Sequence, residues 1–212
     1  MTWQPKDELA SAVALEVLIH GPLGRAELAR RLGLAPATLT RISTELIASG
    51  LLAEVPEATQ RTSGRPTIPL DVVPSSHYFL GIKLTDSALD ATVIDLKATP
   101  RDSYRVPLES LTPVRVIRAI ADLAHRARTS YHLDAIGIAV GGIVNGDGTV
   151  ESAPFLKWNN VPLASLVSEA THLPTFVAND LSAYTQIQHW FGSGTGHSNF
   201  AIITVGVGVG YG

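Results

Sequence analysis

Pro36-Ala37-Thr38-Leu39-Thr40-Arg41-Ile42-Ser43-Thr44-Glu45-Leu46-Ile47-Ala48-Ser49, stopped by Gly50, is the stretch on which the reading of the chain turns. Leu39, Ile42, Leu46 and Ile47 fall on one side at helical spacing. Ala37, Arg41, Thr44 and Ala48 point the opposite way, flanked by Thr38 and Thr40. Proline suits a first helical turn, where a missing N–H costs nothing, and glycine suits a left-handed C-cap. The outer face is small and hydroxylated and carries one guanidinium. Such a face fits a DNA groove and still donates hydrogen bonds there. An ordinary surface helix is the competing reading of this stretch taken alone.

The neighbouring sequence favours the groove. Ala10 to Ile19 reads as an apolar helix with Val13, Leu15, Val17, Leu18 and Ile19 on its core side, ended by His20-Gly21-Pro22-Leu23-Gly24. Arg25 to Leu32 reads as a short helix with Leu28, Ala29 and Leu32 inward, and Gly33-Leu34-Ala35 turns into the helix above. That is the helix-turn-helix pattern, whose second member enters the major groove. Leu51 to Val55 is an expected strand, Pro56 to Gly64 a polar stretch, and Thr67 to Leu70 an expected return strand, which together make a wing. Arg61 and Arg65 lie at its tip. Gly64-Arg65-Pro66 is suited, when extended, to a narrow minor groove with its enhanced negative potential. A loop with incidental arginines is the alternative.

Composition sets limits. The 212 residues carry a net charge of −3, and the first 66 hold seven Lys/Arg against seven Asp/Glu, so a basic surface must come from placement rather than excess. The sequence contains no cysteine, which excludes disulfides and thiolate metal sites within it. With no signal peptide and no apolar run of membrane-spanning length, a cytoplasmic protein without membrane partners is expected.

Asp71 to Ser76 reads as a connector between a domain over residues 1–72 and one over 77–212. Strands are expected over Tyr78–Leu84, Ala88–Leu96 and Arg101–Val106, then a helix over Pro113–Tyr131 and a strand over Ala135–Val140. A helix over Leu163–Thr171, a strand over Thr175–Ala178, a helix over Leu181–Phe191 and a strand over Phe200–Val205 follow. A three-stranded meander followed by helix–strand units implies an α/β layer fold.

The order of these parts resembles the ROK family of repressors and sugar kinases. The resemblance rests on the helix-turn-helix, Gly64-Arg65-Pro66, Gly141-Gly142 after a buried strand, Ser152-Ala153-Pro154-Phe155-Leu156-Lys157-Trp158, Asn179-Asp180, and the closing run from Thr204 to Gly212 with Gly206, Gly208 and Gly210. It implies a winged helix-turn-helix followed by an actin-like (ribonuclease-H-like) domain. By family standards that domain stops before its second lobe.

The resemblance also implies a site. In ROK sugar kinases the residue matching Asp180 is the general base, while from the residues alone Asp180 reads as a helix N-cap. Gly141 and Gly142 let a ligand approach the backbone. Asn159, beside Trp158, and Asn179 complete the expected sugar contacts. Trp158 reads equally as a ring face for a sugar and as a packing anchor. The kinases carry an Asp-x-Gly-Gly-Thr phosphate loop, but here Lys83 replaces its Asp, and Thr85 and Asp86 replace its glycines. A lysine does not hold Mg²⁺ and an aspartate repels phosphate, so phosphoryl transfer should be lost. His189 and His197 lack metal-ligand spacing. The expectation is a regulator, a repressor by family type, with operator DNA and a sugar or sugar phosphate as partners, no cofactor and no metal. It should form a homodimer or higher homo-oligomer. An ATP-dependent sugar kinase is the alternative.

Overall fold

The computed structural model describes residues 8–56, 68–205 and 209–212. The chain divides into two compact units, Met1–Ser76 and His77–Gly212.

In the first unit, α1 (Glu8–His20) buries Ala10, Val13 and Val17, one stripe at helical spacing. Leu15, expected inward, lies off that stripe and is 41% exposed. α2 (Arg25–Leu32) buries Leu28 and Ala29. α3 (Pro36–Ala48) buries Leu39, Ile42, Ser43 and Leu46, with Pro36 in its first turn. It ends in a Schellman motif. Gly50 takes φ +78°, the Leu51 N–H donates to Leu46 O at 3.1 Å, and the Gly50 N–H donates to Ile47 O at 2.9 Å. A side chain at Gly50 would be strained in that left-handed conformation.

Two strands follow, β1 (Leu52–Glu54) and β2 (Leu70–Val72), paired antiparallel with Leu52 opposite Val72. The return strand therefore begins where Thr67–Leu70 was expected to end and takes in Asp71 and Val72 from the expected connector. Its burial explains the shift: Leu70 and Val72 are buried and Asp71 between them is not, the alternation of a strand with one face on a core. Arg61, Gly64, Arg65 and Pro66 lie outside the described residues.

The second unit opens with β3 (Tyr78–Leu84), β4 (Ala88–Asp95) and β5 (Pro100–Pro107), an antiparallel meander. α4 (Pro113–Ala127) then leads to β6 (Leu133–Val140), which lies parallel to β3. α4 stops four residues before the expected Tyr131; Arg128 is its C-cap. β7 (Ile143–Val144), β8 (Val150–Ala153) and β9 (Trp158–Val161) form a small antiparallel sheet that the sequence reading omitted. α5 (Leu163–Thr171) precedes β10 (Thr175–Asn179), parallel to β6, and α6 (Asp180–Phe191) follows at once. β11 (Ile203–Val205) and β12 (Val209–Tyr211) pair as a hairpin, so the last expected strand is shorter than Phe200–Val205.

The main sheet has the order β10-β6-β3-β4-β5. Leu80, Ile82 and Leu84 of β3 and Ile136 and Ile138 of β6 join Val116, Ile120 and Leu123 of α4 and Leu163 and Val167 of α5 in one buried cluster. The mixed α/β class expected from the element order is the one observed.

Candidate functional site

Three parallel strands end in one row. Leu84 of β3 is opposite Val140 of β6, and Val140 is opposite Asn179 of β10. The next residues, Thr85, Gly141 and Asp180, therefore leave the sheet at the same edge. Ligands of open α/β sheets bind at these carboxyl ends.

At β10 the junction is held by Asn179. Its Oδ1 accepts from the N–H groups of Leu181 at 2.9 Å and Ser182 at 3.1 Å, and its Nδ2 donates to Gly142 O at 2.9 Å. The helix cap is thus Asn179 rather than Asp180. Asp180 stands in the first turn, where its Oδ1 accepts from Leu181 N–H at 2.9 Å. Its Oδ2 has no hydrogen-bond partner among the described residues and faces Gly141, where an added Cβ would lie 3.8 Å away. Gly142 admits no side chain: its Cβ would stand 2.3 Å from Ser152 O. The sequence reading left this glycine to a ligand, but the β8 backbone is what approaches it.

At β3 the turn is closed from within. The Thr85 Oγ1 accepts from Ser87 N–H at 3.3 Å and Ala88 N–H at 3.0 Å and donates to Ala88 O at 3.0 Å. Backbone N–H groups of the kind that cradle a phosphate are here turned onto a side chain of the same loop. Lys83, next to last on β3, is exposed.

Two cavities open at this edge. One of about 270 Å³ is lined by Thr85, Asp86, Gly141, Phe155 and Leu156 together with Lys83 and Asp180. The other, about 470 Å³, also includes Lys83 and Asp180 and is otherwise mostly apolar, with Leu181, Tyr184, Ile187 and Thr204. The expected site residues are thus brought together in part: Gly141 and Asp180 line a cavity, and Asn179 caps α6 and ties it to Gly142. Asn159 is exposed on β9, opposite Ser152, and lines neither cavity. Gly210 pairs with Thr204 in the β11–β12 hairpin; Gly206 and Gly208 lie outside the described residues.

Trp158 is buried and its Nε1 donates to Leu111 O at 2.6 Å, which settles its two readings in favour of packing. His189 stacks at a tilt on Phe200. Among the described residues no cluster of His, Cys, Asp and Glu is arranged to hold a metal.

On α3, Ala37, Thr40, Arg41 and Thr44 are exposed and Thr38 is half-buried. The Thr40 hydroxyl donates to Pro36 O and the Thr44 hydroxyl to Thr40 O, both at 2.8 Å. Arg41 Nη1 meets Glu45 Oε1 at 2.7 Å in an exposed pair. Sequence reasoning missed Ser43. It is fully buried, donates to Thr40 O and accepts from Arg25 Nε at 3.3 Å. Arg25 also pairs with Glu54 of β1, so one guanidinium joins α2, α3 and β1. Phe155 was missed as well, although an aromatic residue beside Pro154 in a loop is the available signal.

The sequence profile of the ROK family matches residues 79–212. The xylose repressor of Bacillus subtilis (strain 168) is 27% identical over 203 residues, which is 93% of this chain and 52% of that protein. A glucokinase of Streptomyces coelicolor is 34% identical over 134 residues, 63% of this chain and 42% of that one. The crystal structure of a ROK family transcriptional regulator, described as a homolog of the E. coli MLC protein, superposes with a TM-score of 0.80 at 27% identity, covering 97% of this chain and 55% of that one. The chain spans about half the length of the curated relatives it matches. It belongs to the ROK family.

Proposed function

We propose that this member of the ROK family is a sequence-specific DNA-binding regulator, a repressor by analogy with its relatives, whose second unit senses a sugar. The observation that carries the reading is the face of α3: Ala37, Thr40, Arg41 and Thr44 are exposed along one side of a helix whose other side is buried. Three helices and a strand pair in this order make a winged helix-turn-helix, with α3 in the major groove and Arg61, Gly64, Arg65 and Pro66 reaching the minor groove. The likeness to the xylose repressor supports it, since that match takes in 93% of the chain. A homodimer on two half-sites about one helical turn apart follows from the usual geometry of such readers. Ligand binding near Gly141, Asn179 and Asp180 then shifts the spacing of the paired DNA-binding units.

The test is selection of bound sequences from random duplex DNA at fixed salt, repeated with a panel of neutral sugars and sugar phosphates. Recovery of a two-part site, and its release by one of those compounds, is the expected result. Binding no tighter than to random DNA overturns the reading.

An ATP-dependent sugar kinase is the second reading, favoured by the likeness to a glucokinase and by Asp180 lining the cavity with its Oδ2 toward Gly141. Against it stands the Thr85 turn, whose N–H groups are already engaged. ATP consumption with a hexose, abolished by Asp180→Asn, would establish it.

A further inference from the structure

Phe155 is 66% exposed and Pro154 beside it is exposed too, although Ala153 before them and Leu156 and Trp158 after them are each less than 5% exposed. The residues Pro154–Leu156 form a single 3-10 turn, capped by Lys157 at φ 58°. Leu156 and Trp158 are part of the main core, and the Trp158 indole is tied to Leu111 O. The turn is therefore anchored through Leu156 and Trp158, and its one aromatic ring is left exposed. An exposed phenyl ring forfeits the gain of burial, about 25 cal/mol per Å². Here it does so at the rim of a cavity that also contains Gly141 and Asp180.

We propose that Phe155 is the stacking platform for the apolar C–H face of a pyranose, whose hydroxyl edge is met by the Asp180 carboxylate. This rests on the sugar-sensing reading given above and names the ligand class more closely. Sites for small polar ligands combine aromatic walls with a few placed polar groups, and a ring with one apolar face and a rim of hydroxyls matches that division. The polar groups at the cavity select against a phosphate. The Ser87 and Ala88 N–H groups are taken by Thr85, the Leu181 and Ser182 N–H groups by Asn179, and Asp86 and Asp180 set two carboxylates against the single ammonium of Lys83. What remains on offer is two carboxylate acceptors for hydroxyl donors beside the Lys83 ammonium, a net negative set. The ligand is thus a neutral sugar rather than a sugar phosphate. Trp158, the aromatic residue that its sequence position suggests for this task, cannot serve because it is buried.

The experiment is titration calorimetry of the chain with D-xylose, D-glucose, N-acetyl-D-glucosamine and D-glucose 6-phosphate, using wild type, Phe155→Ala, Phe155→Trp and Asp180→Asn. Wild type should bind one of the neutral sugars more tightly than the phosphate. Phe155→Ala should weaken that binding about tenfold, the equivalent of one aromatic contact, with an unchanged melting temperature because the ring is exposed. Phe155→Trp should retain binding and acquire a sugar-dependent change in tryptophan emission over the wild-type signal. If Asp180→Asn loses binding while Phe155→Ala keeps it, the platform is wrong and the sugar-sensing reading stands. Preference for the phosphate over every neutral sugar overturns the ligand class. If wild type binds none of the four, both the platform and the reading beneath it fall.

Discussion

Two carboxylates at turns of the same unit show how differently one residue type is employed. Asp95, at the end of β4, is fully buried. Its Oδ1 accepts from Lys97 N–H at 2.9 Å and Thr99 N–H at 3.0 Å, and its Oδ2 accepts two guanidinium N–H groups of Arg101. Asp180, at the start of α6, gives one oxygen to Leu181 and leaves the other facing a cavity. The first is engaged entirely by its own chain. The second is half engaged, and its local task is duplicated, since Asn179 already holds the same N–H. Structure needs Asp95; it does not need the second oxygen of Asp180.

Replacing the fully engaged carboxylate should have the largest effect. Asp95→Asn keeps one oxygen for the Lys97 and Thr99 N–H groups but turns an NH2 donor onto the Arg101 guanidinium, and should cost about 3 kcal/mol, the scale for breaking a buried pair. Denaturant unfolding measures it. Burial pushes the Asp95 carboxyl up, but the Thr99 N–H, the Arg101 guanidinium and the Lys97 N–H together outweigh burial and hold it below its ordinary 3.8. The folded pKa is therefore lower than the unfolded one. The stabilisation is complete above about pH 4 and is lost as pH falls from there through the folded value. The gap between wild type and Asp95→Asn should be widest at neutral pH and close in acid. A gap that is constant with pH would show that the carboxylate's charge contributes nothing.

Asp180→Asn should give the opposite pattern. Sugar affinity should fall about thirtyfold, as expected for losing a hydrogen bond to a charged group, while unfolding free energy changes little because Asn179 still caps the helix. If the same variant unfolds as readily as Asp95→Asn, the two carboxylates are not distinct in the way their contacts indicate.

The contrast also explains what the sequence disclosed. The helices and the longer strands were legible because their apolar residues recur at 3.6 or 2 residues, as in α3 and β4. The β7–β9 sheet was not, because strands of two to four residues are too short to establish a period. Asn179-Asp180 was found as a pair, yet the N-cap is Asn179 and not Asp180, since both residue types cap helices well and only geometry separates the one that does. Asp95 was passed over because its partners lie two, four and six residues on, a spacing that resembles any polar turn. Thr85 was recognised as a departure from glycine, but its use as an internal acceptor depends on the turn's shape.

The contrast between a buried and an exposed ion pair extends to α3, with a smaller expected effect. Arg101 is held by a buried partner, whereas Arg41 meets Glu45 where both side chains are more than half exposed. Exposed pairs of this kind contribute about 0.3–0.5 kcal/mol, so DNA phosphate or a guanine edge can replace Glu45 at little cost. Arg41→Ala should reduce discrimination between selected and random DNA by about tenfold, the low end for a bidentate base contact. Glu45→Ala should leave Arg41 in place and remove a negative charge from the face that meets DNA. Its affinity for both selected and random DNA should rise about threefold at low salt, and the gain should shrink as salt increases. Electrophoretic mobility shifts at two salt concentrations distinguish these outcomes. A Glu45→Ala protein that binds DNA more weakly than wild type would mean that Glu45 orients Arg41 for base contact, and that the exposed pair fixes its guanidinium just as the buried carboxylate fixes Arg101.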